Sequence, residues 1–216
     1  MSTEAVLTDT YELRDTLLDL ETRISELLRI PRRPIRVRLV RESAGVAKTV
    51  LCAPPRVPTV YLSPDMLHRS VLAHELTHCF VPTRWLFLAE GLATWVATEV
   101  GGEGCADLYF ASSRLEEVLV RPWSVRAPTV AELVDASTDA PDKLDPQRFP
   151  LIQTRLAFAV AGSFCGFWQG RRPQLATLAA SDQARGPRDI LAEATGMGLD
   201  DLEQEWSRWL HEESTA

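Results

Sequence analysis

The chain has 216 residues, 45% of them hydrophobic and 25% charged, with a formal net charge of -7. That composition excludes collagen-like, fibrous and wholly disordered chains and fits one globular domain, read here as 1–216. The acidic balance argues against nucleic acid or an anionic membrane as partner, and no apolar run reaches the roughly 18 residues of a membrane span. The polar stretch 1–11, with Glu4 and Asp9, lacks the basic and apolar regions of a secretory signal, so cytoplasmic residence is the expectation. Cys52, Cys79, Cys105 and Cys165 are scattered, without a C-x-x-C pair, and read as reduced thiols, mostly filling core.

Taken in chain order, residues 8–29 carry Leu13, Leu17, Leu20, Ile24, Leu27 and Leu28 at three- and four-residue steps, the pattern of an amphipathic helix. Thr8 or Asp9 can cap its start, and Pro31 and Pro34 end it. Arg29, Arg32, Arg33, Arg36, Arg38 and Arg41 form a basic run, expected on a solvated turn and the outer face of a strand. Residues 35–40 alternate apolar with charged, as a half-buried strand does. Residues 48–53 read as its hairpin partner, and Thr59–Leu62 as a third strand.

Ser63-Pro64-Asp65 signals a helix start, predicting a helix from Pro64 to about Phe80, stopped by Pro82. A second helix is predicted over Trp85–Val100, ended by Gly101 and Gly102. A third is predicted over 104–119. Residues 121–150, rich in Pro, Asp, Ser and Thr, read as a connector or as a flap beside a site, with one helical turn at 130–134. Helices at 151–169, 172–181, 187–195 and 199–211 complete the chain. The fold class is therefore α+β: a small N-terminal sheet, then a mostly helical remainder.

The chemistry-bearing residues are His74-Glu75-Leu76-Thr77-His78. Two histidines four apart lie one turn apart on one helix face, so both imidazoles can reach one ion. Zinc suits imidazole and tolerates low coordination. Glu75 can reach a water on that ion, take its proton and return it to a leaving amine. A third ligand is needed. Position 84 is arginine, which excludes the metzincin pattern with its third histidine six residues after His78. The next helix is almost wholly apolar around Glu90, and coordination would remove the cost of burying that carboxylate.

His74 to His78 followed by Glu90-Gly91-Leu92-Ala93, on a tryptophan-led helix with Trp95 in the aromatic place, resembles the gluzincin branch of zincin metallopeptidases. The nearest pattern is that of the small minigluzincins. Residues 156–164 are similar to the family's Y-x-x-x-x-S-F helix, and 196–206 to its closing segment, so the resemblance spans about 59–210. It implies a zincin-like fold, Zn2+ as cofactor, His74, His78 and Glu90 as metal ligands, and Glu75 as the catalytic base and acid. It further implies a peptide or protein substrate, with the strand Thr59–Leu62 as an edge along the cleft to which a peptide could add.

The sequence departs from the pattern twice. Phe158 stands where the oxyanion-stabilising tyrosine is expected, leaving Ser163, Arg155 or Tyr109 as substitutes. Thr94 stands where larger gluzincins place a supporting acid. Phe158 motivates an alternative expectation: a catalytically weak or inactive zincin-fold module that binds a peptide or protein partner. His68 reads as a surface histidine, Trp168, Trp206 and Trp209 as packing, and the acidic residues from Asp200 to Glu213 as a solvated face.

Overall fold

The structure, a computed structural model, describes residues 10–40, 45, 47–51, 57–101, 114–122, 124–139, 151–182 and 184–215. The possible caps Thr8 and Asp9, Arg41, Cys52, Cys105 and Tyr109, with most of the predicted helix 104–119, lie outside the described residues. The architecture is α+β, mostly helical, with one small mixed sheet.

Helix α1 (Thr10–Leu28) buries Leu20, Ile24 and Leu28, with Leu13, Leu17 and Leu27 packed at the margin. Its end is made by Arg29, which adopts φ 55°. The Arg29 N–H donates to the Glu26 carbonyl and the Ile30 N–H to the Ser25 carbonyl, a left-handed cap that usually calls for glycine. Pro31 then prevents continuation.

Strands β1 (Arg36–Leu39), β2 (Ala47–Val50) and β3 (Thr59–Leu62) form a sheet in the order β1-β3-β2. β1 runs parallel to β3 and β2 antiparallel to it. The expected hairpin between the first two strands is therefore incorrect: β3 separates them. β3 is also not an edge but the central strand. Its side chains explain why, since Thr59, Val60 and Leu62 are buried, whereas β1 is exposed except at Val37 and β2 alternates between half-buried and exposed positions. Arg36 and Arg38 are exposed, as expected of a solvated strand face.

The predicted helix from Pro64 is two pieces. Pro64–Met66 is a single 3-10 turn, and α2 begins only at Arg69 and runs to Phe80. Between them Leu67 is buried and His68 is extended (φ -94°, ψ 144°). Seating Leu67 in the core breaks the helix and lets α2 start in a new direction. Ser63 makes no side-chain cap to this turn, although its carbonyl accepts from the Met66 N–H. His68 is half-buried at the start of α2 rather than at the open surface.

Helix α3 (Leu86–Val100) packs against α2 and against the long helix α6 (Leu151–Arg171). Between them come α4 (Leu115–Val120) and α5 (Val130–Asp139). Helices α7 (Gln174–Ser181), α8 (Pro187–Thr195) and α9 (Leu199–Thr215) follow α6. The supposed single turn at 130–134 is thus a ten-residue helix, α5, inside what reads as a connector. Its start is a reciprocal capping box: the Glu132 N–H donates to Thr129 Oγ1 (3.1 Å) and the Thr129 N–H to Glu132 Oε2 (2.8 Å). Val130, Leu133, Val134 and Ser137 are buried along its inner face.

The α3–α6 seam depends on glycines. A Cβ at Gly91 would lie 2.6 Å from Cys165 Sγ and 2.8 Å from the Ala161 carbonyl oxygen. One turn along, Thr94 fills the space over Gly162, and the Trp95 ring lies over Gly166. The two helices approach this closely because these positions carry no side chain. Beyond the seam, Phe164 meets Trp168 and Trp206 edge-on, and Phe167 packs on Trp209, so these tryptophans are packing residues as expected. No helix among the described residues is long and apolar enough to cross a membrane.

Candidate metal centre

Helix α2 presents His74 and His78 one turn apart, their rings 4.9 Å between centroids and nearly perpendicular. The opposite sides of the helix are buried through Leu72, Leu76, Cys79 and Phe80, which fixes the rotation of the histidine face. Helix α3 brings Glu90 to that face. His74 Nε2 lies 3.1 Å from Glu90 Oε2, and His78 Nε2 lies 3.6 Å from Glu90 Oε1. One ligand atom from each of the three residues lies within 4.8 Å of the other two.

Donors held tetrahedrally at about 2.0–2.1 Å from one ion sit roughly 3.3 Å apart. The two imidazole-carboxylate separations bracket that spacing, and two imidazoles with a carboxylate match a three-ligand zinc set. The residues present are therefore geometrically able to hold a metal ion.

Several contacts hold the two helices in this relation. Arg69 Nε donates to the Val100 carbonyl (3.1 Å), joining the start of α2 to the end of α3, while the Arg69 guanidinium pairs with Asp19 on α1. The Phe87 N–H, free at the first turn of α3, donates to the Ser137 hydroxyl on α5 (3.1 Å). Gly101 closes α3 in a right-handed conformation, φ -74°, and lies against Ser70. Its use is close approach to α2, not the left-handed cap its sequence position suggests.

The electrostatics of the trio are mutual. Burial opposes ionisation of Glu90, but the charge of His78 and the hydrogen bond from His74 prevail and hold its carboxyl down to about 2. Burial also disfavours both imidazolium ions. At His74 the hydrogen bond and charge of Glu90, with Glu75 adding to them, overcome burial and raise the pKa. At His78 burial prevails and the pKa falls. Glu90 and His78 are thus shifted toward the forms that bind a cation, whereas His74 is shifted toward the protonated form, whose proton a cation would displace.

Glu75 is 7% exposed and faces the edge strand β2. The Thr49 hydroxyl lies 2.7 Å from Glu75 Oε2 and 2.8 Å from the Glu75 carbonyl oxygen. Sequence reading missed Thr49, because a threonine on a strand is what strand propensity alone favours. The signal it offered was weak: an inward-facing position on a strand that alternates, with a hydroxyl to spare.

The trio and Glu75 open into a cleft of about 570 Å3. Ala47, Lys48, Thr49 and Leu51 of the β2 segment line one side, and Thr83, Arg84, Leu86 and Ala89 the other. A smaller apolar recess between Leu86, Phe87, Leu133, Ala157, Phe158 and Ala161 also touches Glu90. Phe158 is thus beside the site, without a hydroxyl.

Ser163 is not brought there. It is buried, 3.1 Å from Glu116 Oε1, and accepts from Trp206 Nε1 at 3.2 Å, in a separate hollow lined by Trp95, Arg171 and Trp209. Arg155 is exposed and does not line the cleft. Thr94 faces Gly162, and its buried hydroxyl has no hydrogen-bond partner among the described residues, so it does not support Glu90. Cys79 is core, its thiol pushed up to about 12 by burial.

No protein family, no curated protein and no solved structure matches this chain.

Proposed function

We propose that this chain is a zinc-dependent peptidase of the gluzincin kind, with a zincin-like arrangement of sheet edge, histidine helix and glutamate helix. The observation that carries the reading is the meeting of His74, His78 and Glu90 from two helices, with Glu75 beside them, in an open cleft. His74, His78 and Glu90 would hold the ion. When bound, zinc supplies Lewis acidity toward a carbonyl oxygen and lowers the pKa of a water.

The chain's own residues do the rest. An extended peptide adds to β2, the edge strand that lines the cleft. This replaces Thr59–Leu62, the strand expected in that role, which lies inside the sheet. Glu75 takes a proton from the attacking water at a carboxylate oxygen and passes it to the nitrogen of the departing amine. The substrate is a peptide or a protein segment able to lie extended.

A second reading has one observation in its favour. Phe158 occupies the wall beside Glu90 with no hydroxyl to meet an oxyanion. On that reading the cleft binds a peptide without turning it over.

Zinc content and hydrolysis of a peptide library by wild type and Glu75→Gln separate the two. The peptidase reading expects about one zinc per chain in both proteins and turnover lost in Glu75→Gln. Zinc-loaded wild type no more active than Glu75→Gln contradicts it, and peptide binding retained in both without product supports the second reading.

A further inference from the structure

We propose that Thr49 is a positioning residue for Glu75, and that edge strand β2 therefore both receives the substrate and aims the base. Its kinetic part rests on the peptidase reading above; its structural part does not.

The side chain of a glutamate has three rotatable bonds, and nothing in the H-E-x-x-H spacing fixes where the Glu75 carboxylate points. Thr49 supplies that constraint from outside the motif. β2 alternates half-buried and exposed residues, so Ala47 and Thr49 turn inward while Lys48 turns outward, over the ring of Tyr61. Being β-branched and strand-bound, Thr49 has little freedom at χ1. Its hydroxyl is thus presented at a fixed place, 2.7 Å from Glu75 Oε2.

That hydroxyl has one proton and two acceptors within reach, the carboxylate and the carbonyl of the same glutamate. The carbonyl sits inside α2, where the helix ladder already provides it a donor from one turn on. The carboxylate carries the charge and forms the stronger bond, so it takes the Thr49 proton. With Oε2 tied to β2, Oε1 is the oxygen left to exchange a proton with water and amine. A peptide that adds to β2 then docks on the strand that holds the base, so the scissile bond and Glu75 share one reference.

The test compares zinc-loaded wild type, Thr49→Val and Thr49→Ser by steady-state kinetics, and solves crystal structures of all three. Thr49→Val keeps the shape and removes the hydroxyl. It is expected to lower kcat about 10- to 100-fold with KM and zinc content unchanged, and to release the Glu75 carboxylate from β2. Thr49→Ser restores the hydroxyl and is expected to restore most of kcat and the wild-type carboxylate position. A Thr49→Val enzyme with wild-type kcat, an equal loss in Thr49→Ser, or a carboxylate that stays in place without the hydroxyl would each overturn the proposal. Should wild type show no turnover, the peptidase reading fails and the crystal structures alone decide the role of Thr49.

Discussion

The glutamate at position 90 is placed by the residue after it. Gly91 lets α3 lie against α6, with the Ala161 carbonyl and Cys165 where a side chain would otherwise be. In an exposed helix, replacing glycine by alanine stabilises by about 1 kcal/mol. Here the sign should reverse, because backbone atoms of α6 cannot move aside. Gly91→Ala is expected to lose about 1–3 kcal/mol in a denaturant titration, and to bind zinc more weakly as Glu90 shifts with α3. A variant more stable than wild type would show that the seam is looser than described.

At this scale the site was readable from sequence for a definite reason. His74, Glu75 and His78 work through local helical spacing, and Glu90 stands out as a charge in an apolar helix. Thr49 was not readable, since its partner lies 26 residues away and its residue type is ordinary for a strand.

Among the elements, α5 shows how composition can mask a helix. The Pro, Asp, Ser and Thr content of the surrounding stretch suggests a connector, yet Thr129-Val-Ala-Glu132 is a capping box followed by apolar residues at helical spacing. The helix has a task at the site, because Ser137 accepts from the first turn of α3.

Arg126 grips the same Glu132, and that hydrogen bond chiefly holds the Glu132 carboxyl down to about 2, below its ordinary 4.5. A carboxylate with a depressed folded pKa stabilises above its unfolded value and loses that contribution as pH falls. Glu132→Gln should therefore be less stable than wild type at neutral pH, with the gap closing between about pH 4.5 and about 2. Both side chains are exposed, so solvent screening keeps the Arg126 share small. Urea titrations across that range measure it, and a gap independent of pH would contradict the account.

The sheet order was unreadable for a related reason. The expectation that neighbouring strands pair gave a hairpin, but Thr59, Val60 and Leu62 are buried, and β3 goes to the middle. That leaves β2 at an edge, beside the cleft.

Over the whole molecule, the helices and the sheet converge on one arrangement. α1 and α5 brace α2 and α3, α6 supplies the surface on which α3 rests, and β2 walls the cleft. The helices from Leu151 onward were legible from periodicity, to within a few residues at their ends, since long apolar stripes survive local noise. The centre was legible as a list of residues but not as a cleft, because its walls come from segments distant in sequence.

The claim on which the rest depends is that these helices hold one ion between three side chains. Crystals grown with zinc and measured on both sides of the zinc absorption edge test it directly. The account predicts one strong anomalous peak, about 2.0–2.2 Å from an imidazole nitrogen of His74, one of His78 and a carboxylate oxygen of Glu90. A peak elsewhere, or a zinc held by the histidines with Glu90 turned to solvent, would contradict it.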